Sequence, residues 1–131
     1  MSASATSSAQ GQKLTFSDTG YNYNACNIIA TGSDSKGRFA TASTTISITN
    51  GSSMPAGQMG ACAFLYNSSG SYIDSSSIKY SSANVTSIAV PVTERTITYS
   101  AYYSYGYVEV WNGSGYSSYQ PYRSPNLSDF S

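Results

Sequence analysis

The groups able to do chemistry in this chain are few: six carboxylates, two thiols, thirteen phenols and no imidazole among 131 residues. Without histidine there is no usual general base, no Ser-His-Asp or Cys-His arrangement, and none of the commonest metal ligand. Two cysteines, Cys26 and Cys62, cannot by themselves build a four-ligand zinc site. A pair of carboxylates could still hydrolyse a glycoside. Asp18, Asp34, Asp74, Asp129, Glu94 and Glu109 are instead scattered, most of them in turns or at strand ends. "SDSKG" (Ser33–Gly37) lacks the repeated oxygen ligands and closing glutamate of a calcium loop, and reads as a hairpin turn. "NGSG" (Asn112–Gly115) lacks the lysine and the following helix of a phosphate loop. The expectation is a non-enzymatic protein with no catalytic residue, no metal and no cofactor.

The phenols are concentrated. Tyr99–Gly113, "YSAYYSYGYVEVWNG", carries five tyrosines and the chain's single tryptophan with one charge among them. Side chains alternate faces along a strand. Before Gly106 the odd positions Ile97, Tyr99, Ala101 and Tyr103 look like the core face. After it, Val108 and Val110 are the apolar pair, and Glu109 falls between Tyr107 and Trp111. One parity kept inside throughout would bury Glu109 without a partner, which is costly. A one-residue phase shift at Gly106, supplied by a bulge or tight turn, removes the conflict. This reading puts Tyr99 and Tyr103 in the core and Tyr105 at the hinge. Tyr102, Tyr107, Glu109 and Trp111 then face outward. Tyrosine and tryptophan give broad amphipathic contact area at little entropic cost. The candidate ligand-binding set is Tyr105, Tyr107 and Trp111 for stacking, with Asn112, Ser114 and Tyr116 as hydrogen-bonding partners. The competing reading is ordinary cross-strand pairing, or cover by a loop such as 120–126.

The elements that must position these residues are strands. From Lys13 onward, β-branched and aromatic residues alternate with small polar ones, and no window shows helical spacing over three turns. Strands are expected at Lys13–Ser17, Tyr21–Thr31, Arg38–Asn50, Gly60–Tyr66, Ser71–Asp74, Ser77–Ser81, Thr86–Val92, Thr96–Trp111 and Gly115–Tyr119. Gly/Asn/Asp/Ser turns separate them, Asn112-Gly113 being the strongest hairpin signal. Pro91 cannot donate to a ladder, so its strand is an edge or is bulged there. The fold expected is all-β, an antiparallel two-sheet sandwich or jelly roll of eight or nine short strands, with a closed barrel as second choice. Residues 1–12 are read as a flexible polar N-terminal arm and residues 13–131 as a single domain. The end of the chain reads as an irregular tail over one sheet.

Six basic and six acidic groups cancel, so there is no basic field to gather nucleic acid. No apolar run reaches the length of a membrane-spanning helix. The low charge and the abundance of Ser, Thr, Asn and Tyr resemble extracellular chains, and on that ground an extracellular location, with a signal peptide already removed, and a Cys26–Cys62 disulfide are expected. Asn-x-Ser/Thr sequons stand at Asn50, Asn67, Asn84, Asn112 and Asn126. The function expected is surface contact, adhesin-like or glycan-binding, with a glycan or cell-surface partner. The first alternative is a self-assembling homo-oligomer or filament subunit using the N-terminal arm. The second is a small secreted antimicrobial or inhibitor protein presenting the "NGSG" loop.

Overall fold

The computed structural model describes residues 5–51 and 53–130. Among them are twelve strands: β1 (Ala5–Gln10), β2 (Leu14–Asp18), β3 (Tyr21–Asp34), β4 (Gly37–Ile48), β5 (Met59–Cys62), β6 (Phe64–Asn67), β7 (Tyr72–Ser75), β8 (Lys79–Tyr80), β9 (Ser87–Glu94), β10 (Tyr102–Ser104), β11 (Tyr107–Trp111) and β12 (Tyr116–Tyr119). All pairings are antiparallel.

The first layer is built on the long β3–β4 hairpin, which turns at Asp34–Gly37. There Asp34 Oδ1 accepts from the Lys36 amide and Gly37 takes a positive φ. β9 flanks β4. Pro91 lies on the open edge of β9, where its missing N–H costs no ladder bond. The other edge of β3 is shared end to end: β2 pairs Tyr21–Ala25, and β1 pairs Ile28–Ser33.

The second layer consists of two short sheets laid in line, β12-β11-β5-β8 and β10-β6-β7. The same two chain segments cross both, interrupted at Ala63 and at Tyr105–Gly106. Asn residues close its hairpins in the same way. Asn67 Oδ1 accepts from the amides of Ser69 and Ser71, and Asn112 Oδ1 from those of Ser114 and Gly115.

Inward-facing side chains of the two layers make two apolar clusters. One joins Tyr23, Ala25, Ile46, Ile48 and Val90 to Met59, Ala61, Val108 and Val110. The other joins Ile29, Ala40 and Ala42 to Leu65 and Tyr102. Each fully buried aliphatic chain of this size contributes ~1.5–3 kcal/mol by leaving water.

Between the clusters runs a polar waist centred on Asn27, which has no exposed surface. Its Nδ2 donates to the carbonyls of Pro121 (3.1 Å) and Tyr122 (3.2 Å) in the C-terminal tail. Its Oδ1 accepts from Thr44 Oγ1 (2.7 Å) on β4 and from the Gly106 amide (2.8 Å) in the second layer. One amide side chain therefore joins both layers and the tail with all four of its hydrogen-bonding positions filled. Gly106 is glycine because a Cβ there would overlap the Cys62 carbonyl and Thr44 Oγ1. Its amide leaves the ladder to reach Asn27, which is why that strand line breaks in two.

Several expectations are corrected. Residues 5–10, read as part of a flexible arm over residues 1–12, form β1; residues 1–4 lie outside the described residues. The backbone of β3 offers an open edge there, and pairing to it needs no apolar pattern. Twelve strands replace eight or nine, because β1 is added and two segments are interrupted. Cys26 and Cys62 are free thiols, not a disulfide. Cys26 faces outward from the first layer, where its Sγ lies 3.1 Å from Thr45 Oγ1. Cys62 pairs with Tyr107 on the outward side of the second layer and donates to the Ser76 carbonyl. The two thiols thus sit on opposite outer faces, with the whole core between them.

Candidate functional site

Parity along β10 and β11 decides which rings face out. Tyr102, Ser104, Val108 and Val110 point inward and are buried; Tyr103, Tyr107, Glu109 and Trp111 point outward. The outward placement of Tyr107, Glu109 and Trp111 agrees with the sequence reading, but the phase shift at Gly106 does not exist. Even residues face the core on both sides of the glycine. Tyr102, expected outside, is fully buried, and its Oη accepts from the amides of Thr98 and Tyr99. Tyr99, expected in the core, is 46 % exposed, because the chain joins the ladder only at Tyr102. Tyr103 is buried from the outside, stacked on Tyr66 at 5.2 Å and covered by the Arg123 guanidinium 4.1 Å from its ring centre.

Neighbouring strands extend this outer face into an aromatic band. At one end Phe64 packs against Tyr107 (5.9 Å), Tyr66 (6.5 Å) and Tyr72 (6.1 Å). At the other, Trp111 meets Tyr116 edge-on at 5.1 Å, and Tyr116 meets Tyr80 at 4.7 Å. Tyr80 lies across Gly60, where a Cβ would come within 2.6 Å of its ring. The small residue is what lets the phenol reach across the sheet and donate to Glu109 Oε1 (2.6 Å). Ser118 Oγ donates to Glu109 Oε2 (3.3 Å), and Tyr116 Oη to the Gly57 carbonyl (2.7 Å). The bond to Glu109 holds the Tyr80 phenol proton firmly and pushes its pKa up to about 12. Burial raises the Tyr66 and Tyr107 phenols as well.

Of the residues singled out from the sequence, Tyr107, Trp111 and Tyr116 share this face. Tyr105 is half-buried at the break, its amide bonded to the Phe64 carbonyl. Asn112 and Ser114 are spent on the turn: Asn112 Oδ1 accepts from the Ser114 amide and hydroxyl, and its Nδ2 donates to Ser117 Oγ. The sequence reading missed Phe64, Tyr66, Tyr72 and Tyr80. The alternation Phe64-Leu65-Tyr66 around one aliphatic residue was the available signal for the first two.

The other carboxylates are dispersed. Asp18 accepts from Tyr119 Oη at 2.6 Å, and Asp34 is held by Arg95 through two bonds of 2.8 Å. That ion pair draws the Asp34 carboxyl down to about 2. Among the described residues, no three of His, Cys, Asp or Glu come together as a metal site. The arrangement presents several aromatic faces and edges, with hydroxyls and the Glu109 carboxylate among them, along the outer side of the second layer.

Comparison with family models, curated proteins and solved structures found no match for this chain.

Proposed function

We propose that the protein is a non-catalytic contact module, acting in an extracellular setting, that binds a glycan through the aromatic outer face of its second layer. The observation that carries this reading is a pair of ring clusters on one outer face, Tyr72, Tyr66, Phe64 and Tyr107 at one end and Trp111, Tyr116 and Tyr80 at the other, with Glu109 between Tyr107 and Trp111 on β11. Pyranose C–H groups, slightly positive, pack on the negative faces of such rings. Hydroxyls of Tyr80, Tyr116 and Ser118 and the Glu109 carboxylate lie alongside; the three hydroxyl protons are engaged within the protein, and the remaining oxygen lone pairs can accept from sugar hydroxyls. Supporting it, Glu109 projects from β11 and the Arg123 guanidinium lies over Tyr103, so the face carries no single-sign field and suits neutral sugars.

A glycan array probed with the wild-type chain and with Trp111→Ala tests the reading. Binding to a subset of neutral oligosaccharides, lost in the variant, is expected. Equal signals from both proteins, or none from either, would count against it.

The alternative, a self-assembling subunit, draws on the neutral net charge and on the open edges of the first layer. Light scattering on wild-type and 2–12-deleted protein separates the two: assembly lost with the arm favours the subunit, a monomer favours the contact module.

A further inference from the structure

The outer face contains one pair of phenols set up for covalent joining. Tyr80 and Tyr116 have ring centres 4.7 Å apart at a tilt of 35°, and both are about two-fifths exposed (39 % and 41 %). Tyr80 comes from β8 and Tyr116 from β12, the two edge strands of the four-stranded sheet. Their side chains reach over the sheet from opposite sides and meet above its middle. Losing an electron makes a phenol a very strong acid, so a base already hydrogen-bonded to it makes oxidation easier. Glu109 Oε1, 2.6 Å from Tyr80 Oη, is that base.

We infer that Tyr80–Tyr116 is a site of oxidative tyrosine cross-linking, in which a peroxide acting through a one-electron peroxidase staples the two edge strands together. Each phenol gives up one electron. The Tyr80 proton passes to Glu109, and the Tyr116 proton to water. The two phenoxyl radicals join through a carbon–carbon bond between ring positions ortho to the oxygens. Each coupled carbon then releases its hydrogen as a proton, and both phenols are restored. Overall, two ring hydrogens leave and the peroxide is reduced to two waters.

Other close ring pairs lack what this one has. Tyr66 and Tyr103 stack at 5.2 Å, but the Arg123 cation over Tyr103 opposes a positive hole, and no described carboxylate accepts from either phenol. Tyr119 has its carboxylate, Asp18, but its ring neighbour is Phe16 at 4.0 Å, which cannot couple. Trp111, 5.1 Å from Tyr116, offers a second entry for the hole into the same pair. The staple would give a chain without a disulfide a covalent tie across its contact face.

The test is treatment of the folded protein with hydrogen peroxide and a haem peroxidase, followed by mass spectrometry of the intact chain and its tryptic peptides. The expected product is a single chain lighter by two hydrogens, with the peptide beginning at Tyr80 joined to the one containing Tyr116. Tyr80→Phe and Tyr116→Phe, each shown to be folded by circular dichroism, should lose this product. Glu109→Gln should form it more slowly while Tyr72 and Tyr122, more exposed at 56 % and 51 %, react as before. Products linked only between chains through Tyr72 or Tyr122 would overturn the inference. So would a Tyr80–Tyr116 link that forms at the same rate in Glu109→Gln.

Discussion

Replacing Asn27 by alanine should be among the most damaging single changes in this chain, although it removes no apolar contact of any size. The substitution withdraws the acceptor of the Thr44 hydroxyl and the Gly106 amide, and the donor to the Pro121 and Tyr122 carbonyls. All of this happens where Asn27 has no exposed surface. A buried polar group left without a partner costs about 1–3 kcal/mol. Thr44 can rotate its hydroxyl and the two tail carbonyls can gain water as the tail loosens. The Gly106 amide has little room to move, because the space beside its Cα is closed by the Cys62 carbonyl and Thr44 Oγ1, where not even a Cβ would fit. Counting that amide in full and the others in part gives a loss of about 3–5 kcal/mol, a large share of the ~5–15 kcal/mol by which domains are stable. Urea denaturation followed by the fluorescence of Trp111 is the assay, and the midpoint should fall by about 2 M. Asn27→Asp separates hydrogen bonding from shape. It keeps the acceptor but sets a second carboxylate oxygen against two carbonyls, so it should be destabilised at neutral pH and partly rescued by acid. A loss below about 1 kcal/mol for Asn27→Ala would refute the waist as a structural tie.

Two further outcomes follow from the same geometry. Because Cys26 and Cys62 face away from each other on separate layers, the urea midpoint should be unchanged by reductant, and because each outward-facing thiol is nonetheless buried under neighbouring side chains, both should react with a thiol reagent only after unfolding; a reductant-sensitive midpoint would contradict this. In alkaline titration Tyr80 should ionise late, near pH 12, and Glu109→Gln should bring it down. A pKa raised in the folded state makes the folded form keep its proton longer than the unfolded one. This contribution is therefore complete below pH ~10 and is lost as the pH climbs through the folded value. Ultraviolet difference spectra of wild type and Tyr80→Phe read it directly, and a Tyr80 that titrates with the exposed tyrosines would disprove it.

Most of the architecture was legible because it rests on signals the sequence states strongly. Alternation in Tyr21–Thr31 and Arg38–Asn50, the Asn-Gly turn at Asn112 and the edge position of Pro91 all appear as expected. What failed was the inside-outside assignment of tyrosine. A phenol serves equally as a core residue with one satisfied hydroxyl, like Tyr102, and as an outer-face ring, like Tyr107. A run of tyrosines therefore carries no phase of its own. Only Val108, Glu109 and Val110 fix the phase, and the outward set was read correctly around those three. Extending the strand back to Thr96 then forced a shift that the chain does not make; it enters the ladder at Tyr102 after an unpaired stretch. β1 was invisible because Ser, Thr and Ala on an edge give no periodicity, its pairing being a matter of backbone. The waist, by contrast, left a trace. Asn27 interrupts the inward series Tyr23, Ala25, Ile29, and the same parity places Cys26 outside, which disfavours the disulfide.

The aromatic outer face as the contact surface is the claim most open to direct measurement. Nitrogen–proton correlation spectra recorded during titration with an oligosaccharide chosen from the array would locate the bound surface. The Trp111 indole and the amides of β11, β6 and β12 should shift together and saturate with one affinity. Shifts confined to the outer side of β3 and β4, with the indole unmoved, would contradict it.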